Sequence, residues 1–272
     1  MKVIRRASEV TALYTTLLAS VTNTVCAIDP ASVFAIPDTL EIQIFASEPQ
    51  VVDPVALCFD ESNRCYVVEM RDYPLGIGPD RTPSGTIRLL EDTDGDGRVD
   101  RSTVFAEGLS YPTSITPYNG GVFVSAPPEI LYFKDTDGDR RADVRRTVLR
   151  GFTLGVTDSN VNGLRWGLDN RIHGANGGNG GEIFSADRPN TKLSIRDLDF
   201  SFSPVDVQII TTFATGGGFG LVFDDWGRRF TTYNINHILH QSVAHRYLKN
   251  SRGLPSFDPS SSISDHGEMA RI

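Results

Sequence analysis

The sequence predicts an all-β fold, and more narrowly a β-propeller of the six-bladed type that this chain does not complete. Short apolar segments alternate with tight turns, and an acidic motif recurs at the spacing of one propeller blade. Helical periodicity is weak throughout and is strongest at the chain start and at 235–247. Because only about four to five blade-sized units fit after Leu40, we expect the propeller to be truncated at its C-terminus.

Four segments share one hairpin pattern: an apolar strand, a turn rich in Asp, Asn or Gly, and a second apolar strand. Apolar residues alternate on both sides of each turn, as they do in strands that bury one face. The copies lie at 57–68, 115–124, 164–173 and 221–230.

The acidic motif occurs at 92–100, the first acidic loop, and at 135–143, the second acidic loop. The two begin 43 residues apart (135 − 92), and each stands between β-rich segments. A period of roughly 40–45 residues is that of a four-stranded blade, so the loops mark successive blades.

The acidic loops are predicted to bind calcium, a hard cation that takes six to eight oxygen ligands. Carboxylates at loop positions 1, 3 and 5 can converge on one ion, and position 9 closes the site. The predicted ligands are the side chains of Asp92, Asp94, Asp96, Asp100, Asp135, Asp137, Asp139 and Asp143, and the backbone carbonyls of Arg98 and Arg141. The alternative is a pair of acidic hairpin turns without metal.

The two loops differ at position 6, where the first has Gly97 and the second has Arg140. A sharp turn there favours positive φ, which costs a non-glycine residue roughly 1–2 kcal/mol. We therefore expect weaker calcium binding in the second loop, or a shifted turn.

The composition and the N-terminus indicate which partners and which cellular compartment to expect. A net charge of −8 argues against nucleic acid as a partner. The N-terminus predicts an export signal, because a basic start with Lys2 and Arg6 is followed by an apolar stretch and the small-residue site Val25-Cys26-Ala27. We therefore expect a periplasmic or extracellular protein without a transmembrane segment in the mature chain. A disordered or helical extension is the alternative. The predicted boundaries are 1–27 for the signal, 28–39 for a linker and 40–272 for the propeller.

Two cysteines, Cys58 and Cys65, flank the turn-rich segment 60–63. A hairpin centred there would place them opposite each other, which allows a cross-strand disulfide in an oxidising compartment. Two buried free thiols on adjacent strands are the equal alternative.

Five motifs in order resemble the N-terminal propeller of the membrane-bound dehydrogenase-like proteins of planctomycetes and verrucomicrobia. They are DPVA at 53–56, YVVEMRDYP at 66–74, LLEDTDGDG at 89–97, NGLRWGLD at 162–169 and GFGLVFDDWG at 218–227. In that family the propeller usually precedes helical repeats and a cytochrome c domain with a Cys-x-x-Cys-His haem site, and this sequence contains neither. The resemblance implies a distant similarity to soluble glucose and sorbosone dehydrogenases, which use pyrroloquinoline quinone (PQQ).

A dehydrogenase of that kind needs a base for the substrate hydroxyl proton and cations for the carboxylates of the quinone. The resemblance makes His173 and His237 the candidate catalytic residues, and Arg71, Arg165 and Asn162 the candidate cofactor-binding residues. Asn162 also has an ordinary explanation as a turn residue, and His173 and His237 as surface or packing histidines.

Two functions follow from the sequence. One is an exported domain that oxidises a sugar or alcohol with a quinone cofactor and passes electrons to a haem domain. The other is a calcium-stabilised propeller that binds a carbohydrate or a protein and performs no chemistry.

Overall fold

The computed structural model describes residues 33–74, 82–214, 218–233, 236–250 and 258–264. The chain divides after Ile44 into two compact units. The described residues of the first unit contain no strand or helix, and every sheet lies in the unit that begins at Phe45. The predicted signal at 1–27 lies outside the described residues.

The regular secondary structure of the described residues is almost entirely β, with eighteen strands in four antiparallel sheets. The first sheet contains β1 (Pro54–Phe59), β2 (Cys65–Glu69), β3 (Gly85–Glu91) and β4 (Arg101–Leu109). The second contains β5 (Ser114–Tyr118), β6 (Gly121–Ala126), β7 (Glu129–Lys134) and β8 (Val144–Phe152), extended at the β8 edge by β11 (Gly181–Ser185) and β12 (Leu193–Ser194). The third contains β9 (Asn162–Trp166), β10 (Ile172–Ala175), β13 (Leu198–Phe202) and β14 (Ile209–Ala214). The fourth contains β15 (Phe219–Phe223), β16 (Arg229–Thr232), β17 (Leu239–Gln241) and β18 (Ser260–Ser262).

The sheets have the connectivity of propeller blades. Each contains a four-stranded meander in chain order, except that the chain leaves the third sheet after β10 to add β11 and β12 to the second sheet before it returns as β13. The first strands of successive sheets are neighbours: β1 lies beside β5, β5 beside β9, and β9 beside β15. This places the first strand of each sheet innermost, which confirms the β-propeller prediction with four blades in the described part.

All four predicted hairpins are present, as β1–β2, β5–β6, β9–β10 and β15–β16. The acidic loops connect the third and fourth strands of the first two sheets, as successive blades require. Of the weak helical pattern at 235–247, only the end lies in a helix, α1 (His245–Asn250), and Leu239–Gln241 forms β17. No described helix is long and apolar enough to cross a membrane.

The second strands of the first two sheets are buried on both faces: one face of β2 packs toward the second sheet, and the other packs on the segment before β1. Every residue of β2 and of β6 is buried. Phe123 on β6 packs edge-to-face against Phe202 on β13, with ring centroids 5.4 Å apart, and so joins the second and third sheets. Full burial of such a side chain contributes about 1.5–3 kcal/mol.

A buried ion pair joins the third and fourth sheets. Arg229 Nη2 on β16 lies 2.6 Å from Asp199 Oδ2 on β13, and neither side chain is exposed to solvent. Removing one partner of such a pair would leave a buried charge uncompensated, at a cost of about 3–5 kcal/mol.

The cysteine prediction is settled by the register of the β1–β2 hairpin. Cys58 is paired with Tyr66, and Cys65 with Phe59, so the cysteines are one position out of register. Because side chains alternate between the faces of a strand, the two point to opposite faces, and both thiols are free and buried. Burial raises the pKa of Cys58 to about 12 and that of Cys65 to about 11, which leaves both as unreactive packing residues.

Candidate functional site

A cavity of about 430 Å³ lies where the first strands of the four sheets converge. Residues of β1, β5, β9 and β15 form its wall, together with Met70 and Tyr73 after β2 and the 3₁₀ turn Thr157–Ser159 before β9. Leu57, Leu164 and Leu221 give it apolar sides. Its volume suits a small organic molecule.

Two charged side chains line this cavity, Arg165 on β9 and Asp158 in the 3₁₀ turn. Both residues are exposed. Within the described part of the chain, the side chain of Arg165 makes no ion pair or hydrogen bond, so its guanidinium donors are available to a ligand. The predicted cofactor residue Arg165 therefore stands at the cavity.

Asn162, a second predicted cofactor residue, also lines the cavity, but its amide holds two strands together. Its Nδ2 donates to the carbonyls of Asn160 (2.9 Å) and Gly218 (2.8 Å), and its Oδ1 accepts from the Gly220 amide (2.8 Å). The side chain thus joins β9 to the start of β15. Its predicted role toward a cofactor stays a prediction.

Asn160 is a cavity residue that the sequence analysis missed. Its side chain is almost fully buried, and its Nδ2 has no hydrogen-bond partner in the described part of the chain. The polar run 157–160 directly before an apolar strand was the available signal, although it is equally typical of a turn.

His173, a predicted catalytic residue, is buried on β10 and does not line the cavity. Its Nε2 lies 3.1 Å from Asp169 Oδ1, and its ring packs edge-to-face on Phe223. Burial lowers the pKa of His173, against the raising effect of Asp169. The imidazole is therefore held neutral and enclosed between strands.

The other two predicted residues also lie away from the cavity wall. Arg71 follows β2, and its Nη2 is 2.9 Å from the buried carboxylate of Glu69, which also pairs with Arg88 at 3.3 Å. His237 is half-buried in the bend before β17. The structure therefore brings Arg165 and Asn162 together in one cavity and separates them from Arg71, His173 and His237.

The acidic loops each bring three carboxylates together. Oxygens of Asp92, Asp94 and Asp100 lie within 4.8 Å of one another, and so do those of Asp135, Asp137 and Asp143. Since a calcium–oxygen bond is about 2.3–2.6 Å long, oxygens at these separations can contact one ion. Asp96 and Asp139 are outside these clusters.

Asp96 and Asp139 instead shape the turn. Asp96 Oδ1 accepts a hydrogen bond from the Arg98 amide at 2.8 Å, and Asp139 Oδ1 accepts one from the Arg141 amide at 2.7 Å. The proposed roles of the Arg98 and Arg141 carbonyls as ligands stay predictions.

Arg140 adopts the same turn as its counterpart glycine. Its φ of 72° is close to the 83° of Gly97, so the turn is not shifted. The Arg140 amide donates to Asp135 Oδ2 (2.8 Å), as the Gly97 amide donates to Asp92 Oδ2 (2.9 Å). Its Nε also lies 2.7 Å from Glu91 Oε2, next to the first acidic loop. This ion pair offsets part of the conformational cost.

Comparisons with known proteins identify a family but no activity. The family model described as "Domain of unknown function (DUF7133)" matches residues 29–271. No curated protein matches the chain.

Solved structures with a similar fold share little sequence with this chain. The PQQ-bound aldose sugar dehydrogenase of Streptomyces coelicolor is 16% identical over 70% of this chain and 59% of its own, with a TM-score of 0.42. The PQQ domain of Coprinopsis cinerea pyranose dehydrogenase is 15% identical over 71% and 44%, with a TM-score of 0.45. A catalytically inactive virginiamycin B lyase of Staphylococcus aureus is 12% identical over 73% and 69%, with a TM-score of 0.37. This chain thus spans less than two thirds of the length of both dehydrogenase structures, and at these TM-scores no ligand or activity transfers to it.

Proposed function

This chain belongs to the family Domain of unknown function (DUF7133), and we propose that it is a propeller domain that binds a small sugar or alcohol in the cavity between its innermost strands. The observation that carries the proposal is the composition of that cavity. Leucine side chains offer an apolar wall to the carbon skeleton of a ligand, while the exposed residues Asp158 and Arg165 offer a carboxylate and a guanidinium to its polar groups.

Binding is tested by isothermal titration calorimetry of the purified full chain, in calcium buffer, with D-glucose, D-galactose, D-gluconate and glycerol. We expect at least one of these probes to bind with one-to-one stoichiometry. If none binds and none raises the melting temperature, the cavity is not a sugar or alcohol site.

Quinone-dependent oxidation of the bound molecule is the second candidate function, and Arg165 is the observation in its favour. Its unpaired guanidinium lines the cavity and can bind a carboxylate in a bidentate manner. A polycarboxylate quinone such as PQQ needs more cations than this, and Asp158 opposes it. The described wall therefore does not fit PQQ well, and the predicted bases His173 and His237 lie outside it.

The oxidation hypothesis has its own test. The chain is mixed with PQQ, calcium and each probe, and the reduction of an added redox dye is followed together with the quinone absorbance. Dye reduction that requires both PQQ and a probe would establish a dehydrogenase. Probe binding without dye reduction would leave a binding domain.

We also propose that the two acidic loops bind calcium and stabilise adjoining blades. Each loop is bonded to the segment before it: the Val99 amide donates to the Phe45 carbonyl (3.0 Å), and the Ala142 amide donates to the Phe105 carbonyl (2.8 Å). A cation that orders a loop therefore also orders the contact with the preceding segment. Calcium should raise the melting temperature, and chelation should lower it.

Export and a haem-bearing electron acceptor remain proposals that rest on the sequence pattern and the family resemblance. N-terminal sequencing of protein recovered from outside the cytoplasm would test cleavage after residue 27. Reduction of an added cytochrome c, in place of the dye, would test the acceptor.

A further inference from the structure

We infer that the cavity selects sugar acids with a single carboxylate, which the Arg165 guanidinium binds, whereas the Asp158 carboxylate accepts hydrogen bonds from hydroxyl groups and repels a second carboxylate. The inference rests on the proposed function, because it names the class of sugar that the same cavity would bind. It begins from the two charged side chains of the cavity wall, which belong to exposed residues.

The positive charge of Arg165 is directed toward the cavity. Burial raises the pKa of the Cys58 thiol on β1, and the charge of Arg165 acts on that pKa in the opposite direction. Because electrostatic interactions weaken with distance, the guanidinium must extend from β9 toward β1. Leu57, the residue before Cys58 on β1, lines the cavity, so the charge is presented to the space between these two strands.

Arg165 and Asp158 share the cavity wall without pairing with each other. No ion pair joins them in the described part of the chain, and no hydrogen bond there uses the Asp158 carboxylate. A guanidinium carries five N–H donors and no acceptor, whereas an ionised carboxylate only accepts. A ligand that fills the cavity must therefore offer acceptor oxygens to Arg165 and donor groups to Asp158.

A sugar acid with one carboxylate meets both requirements. Its planar carboxylate matches the fork of the guanidinium and can bind it in a bidentate manner, while its hydroxyl groups can donate to Asp158. A neutral sugar offers Arg165 only uncharged acceptors, which form weaker hydrogen bonds. A dicarboxylate brings a second negative charge into the cavity that contains Asp158, and the two like charges repel each other.

The test on wild type uses two pairs of probes that differ at one carbon, which is a carboxylate in one member and a hydroxymethyl group in the other. D-glucuronate is compared with D-glucose, and D-gluconate with D-glucitol, by calorimetry of the full chain in calcium buffer. We expect the acid of at least one pair to bind about three- to tenfold more tightly than its neutral partner, because a charge-assisted hydrogen bond is roughly twice as strong as a neutral one. D-glucarate, which has a carboxylate at each end, should bind no more tightly than D-gluconate.

The wild-type comparison separates the inference from the proposed function. Equal affinities within both pairs would overturn the inference and leave the proposed function standing. Tighter binding of L-serine than of any sugar acid would overturn the choice of sugar acids, and tighter binding of D-glucarate would overturn the limit to one carboxylate. If wild type binds none of the sugars or sugar acids, the proposed function and this inference both fail.

Substitutions of Arg165 test the residue itself. Arg165→Met removes the charge and keeps an unbranched side chain, so the preference for the acid should disappear. Arg165→Lys keeps the charge but loses the planar fork, so part of the preference should remain. Arg188→Met, at an exposed position outside the cavity, should keep all of it. A full preference in folded Arg165→Met would overturn the inference, and the wild-type comparison still decides it should that variant not fold.

Discussion

The acidic loops and the cavity are assembled in opposite ways. Each acidic loop takes its carboxylates from nine consecutive residues, on an exposed turn between the third and fourth strands of a sheet. The cavity takes its wall from the first strands of four sheets, which are distant in sequence. The two regions therefore serve different purposes in our account: the loops hold blades in place, and the cavity binds the ligand. Substitutions in one region should leave the other unaffected.

The largest expected effect is the loss of calcium from a loop that lacks its first ligand. Asp92→Asn and Asp135→Asn each remove one carboxylate of a cluster, and since even outer-shell changes at metal sites cost about 10–100-fold, we expect at least a tenfold loss of calcium affinity at the altered loop. Calorimetric titration with calcium measures it, with the exposed Asp187→Asn as the matched control. Sugar affinity should not change, and a parallel loss of sugar binding would break the separation of the two regions.

The converse change lies in the cavity. Arg165→Met removes a guanidinium that has no partner in the described part of the chain, so we expect affinity for D-gluconate to fall by about three- to tenfold through loss of a charge-assisted hydrogen bond. Titration with glucose should show a smaller loss, and calcium binding should match wild type. Arg188→Met, at an exposed position outside the cavity, is the control. Unchanged gluconate affinity would remove Arg165 from the binding site.

Exchanging the residue at position 6 compares the two loops directly. Arg140 stands at a φ of 72° and Gly97 at 83°, and the left-handed conformation costs a non-glycine residue about 1–2 kcal/mol. Gly97→Arg should weaken calcium binding at the first loop several-fold. Arg140→Gly should strengthen calcium binding at the second loop, but by a smaller factor, because it also removes the ion pair between Arg140 and Glu91. Each is measured with the other loop disabled by Asp135→Asn or Asp92→Asn. A wild-type second loop that binds calcium more tightly than the first would contradict this ranking.

Lowering the pH should give the smallest of these effects, a modest loss of folding stability. The Gly97 amide holds the pKa of Asp92 below its usual value, and the Thr93 hydroxyl does the same for Asp100. Because these folded-state pKa values are depressed, their stabilisation is fully present above the unfolded value of about 3.9 and is lost as pH falls through the folded values. In protein freed of calcium by a chelator, the free energy of unfolding of Asp92→Asn should therefore fall less steeply at acid pH than that of wild type. Chemical denaturation at a series of pH values measures this, and the same pH dependence in the variant and wild type would show that these hydrogen bonds contribute no stability.

The sequence predicted the local features well. All four hairpins formed where alternating apolar residues flank a turn, because strand pairing across a short turn is decided by neighbouring residues. The acidic loops formed for the same reason. The disulfide did not form because the two strands pair with Cys58 and Cys65 one position apart. The length of the turn does not predict this register, because the register depends also on the conformation of the turn.

The cavity was only partly predictable. Arg165 and Asn162 were identified through a family resemblance, and both line the cavity. Asn160 was missed because its burial at the cavity depends on contacts with residues distant in sequence, such as the hydrogen bond from Asn179. Such a relation exists only once the chain has folded.

A crystal structure of the calcium-loaded full chain, soaked with the sugar that binds most tightly in solution, tests the central claim most directly. We predict electron density for one sugar between Leu57, Leu164 and Leu221, with a hydroxyl oxygen within about 3 Å of the Asp158 carboxylate. A sugar bound elsewhere on the propeller, with this cavity empty, would contradict the account.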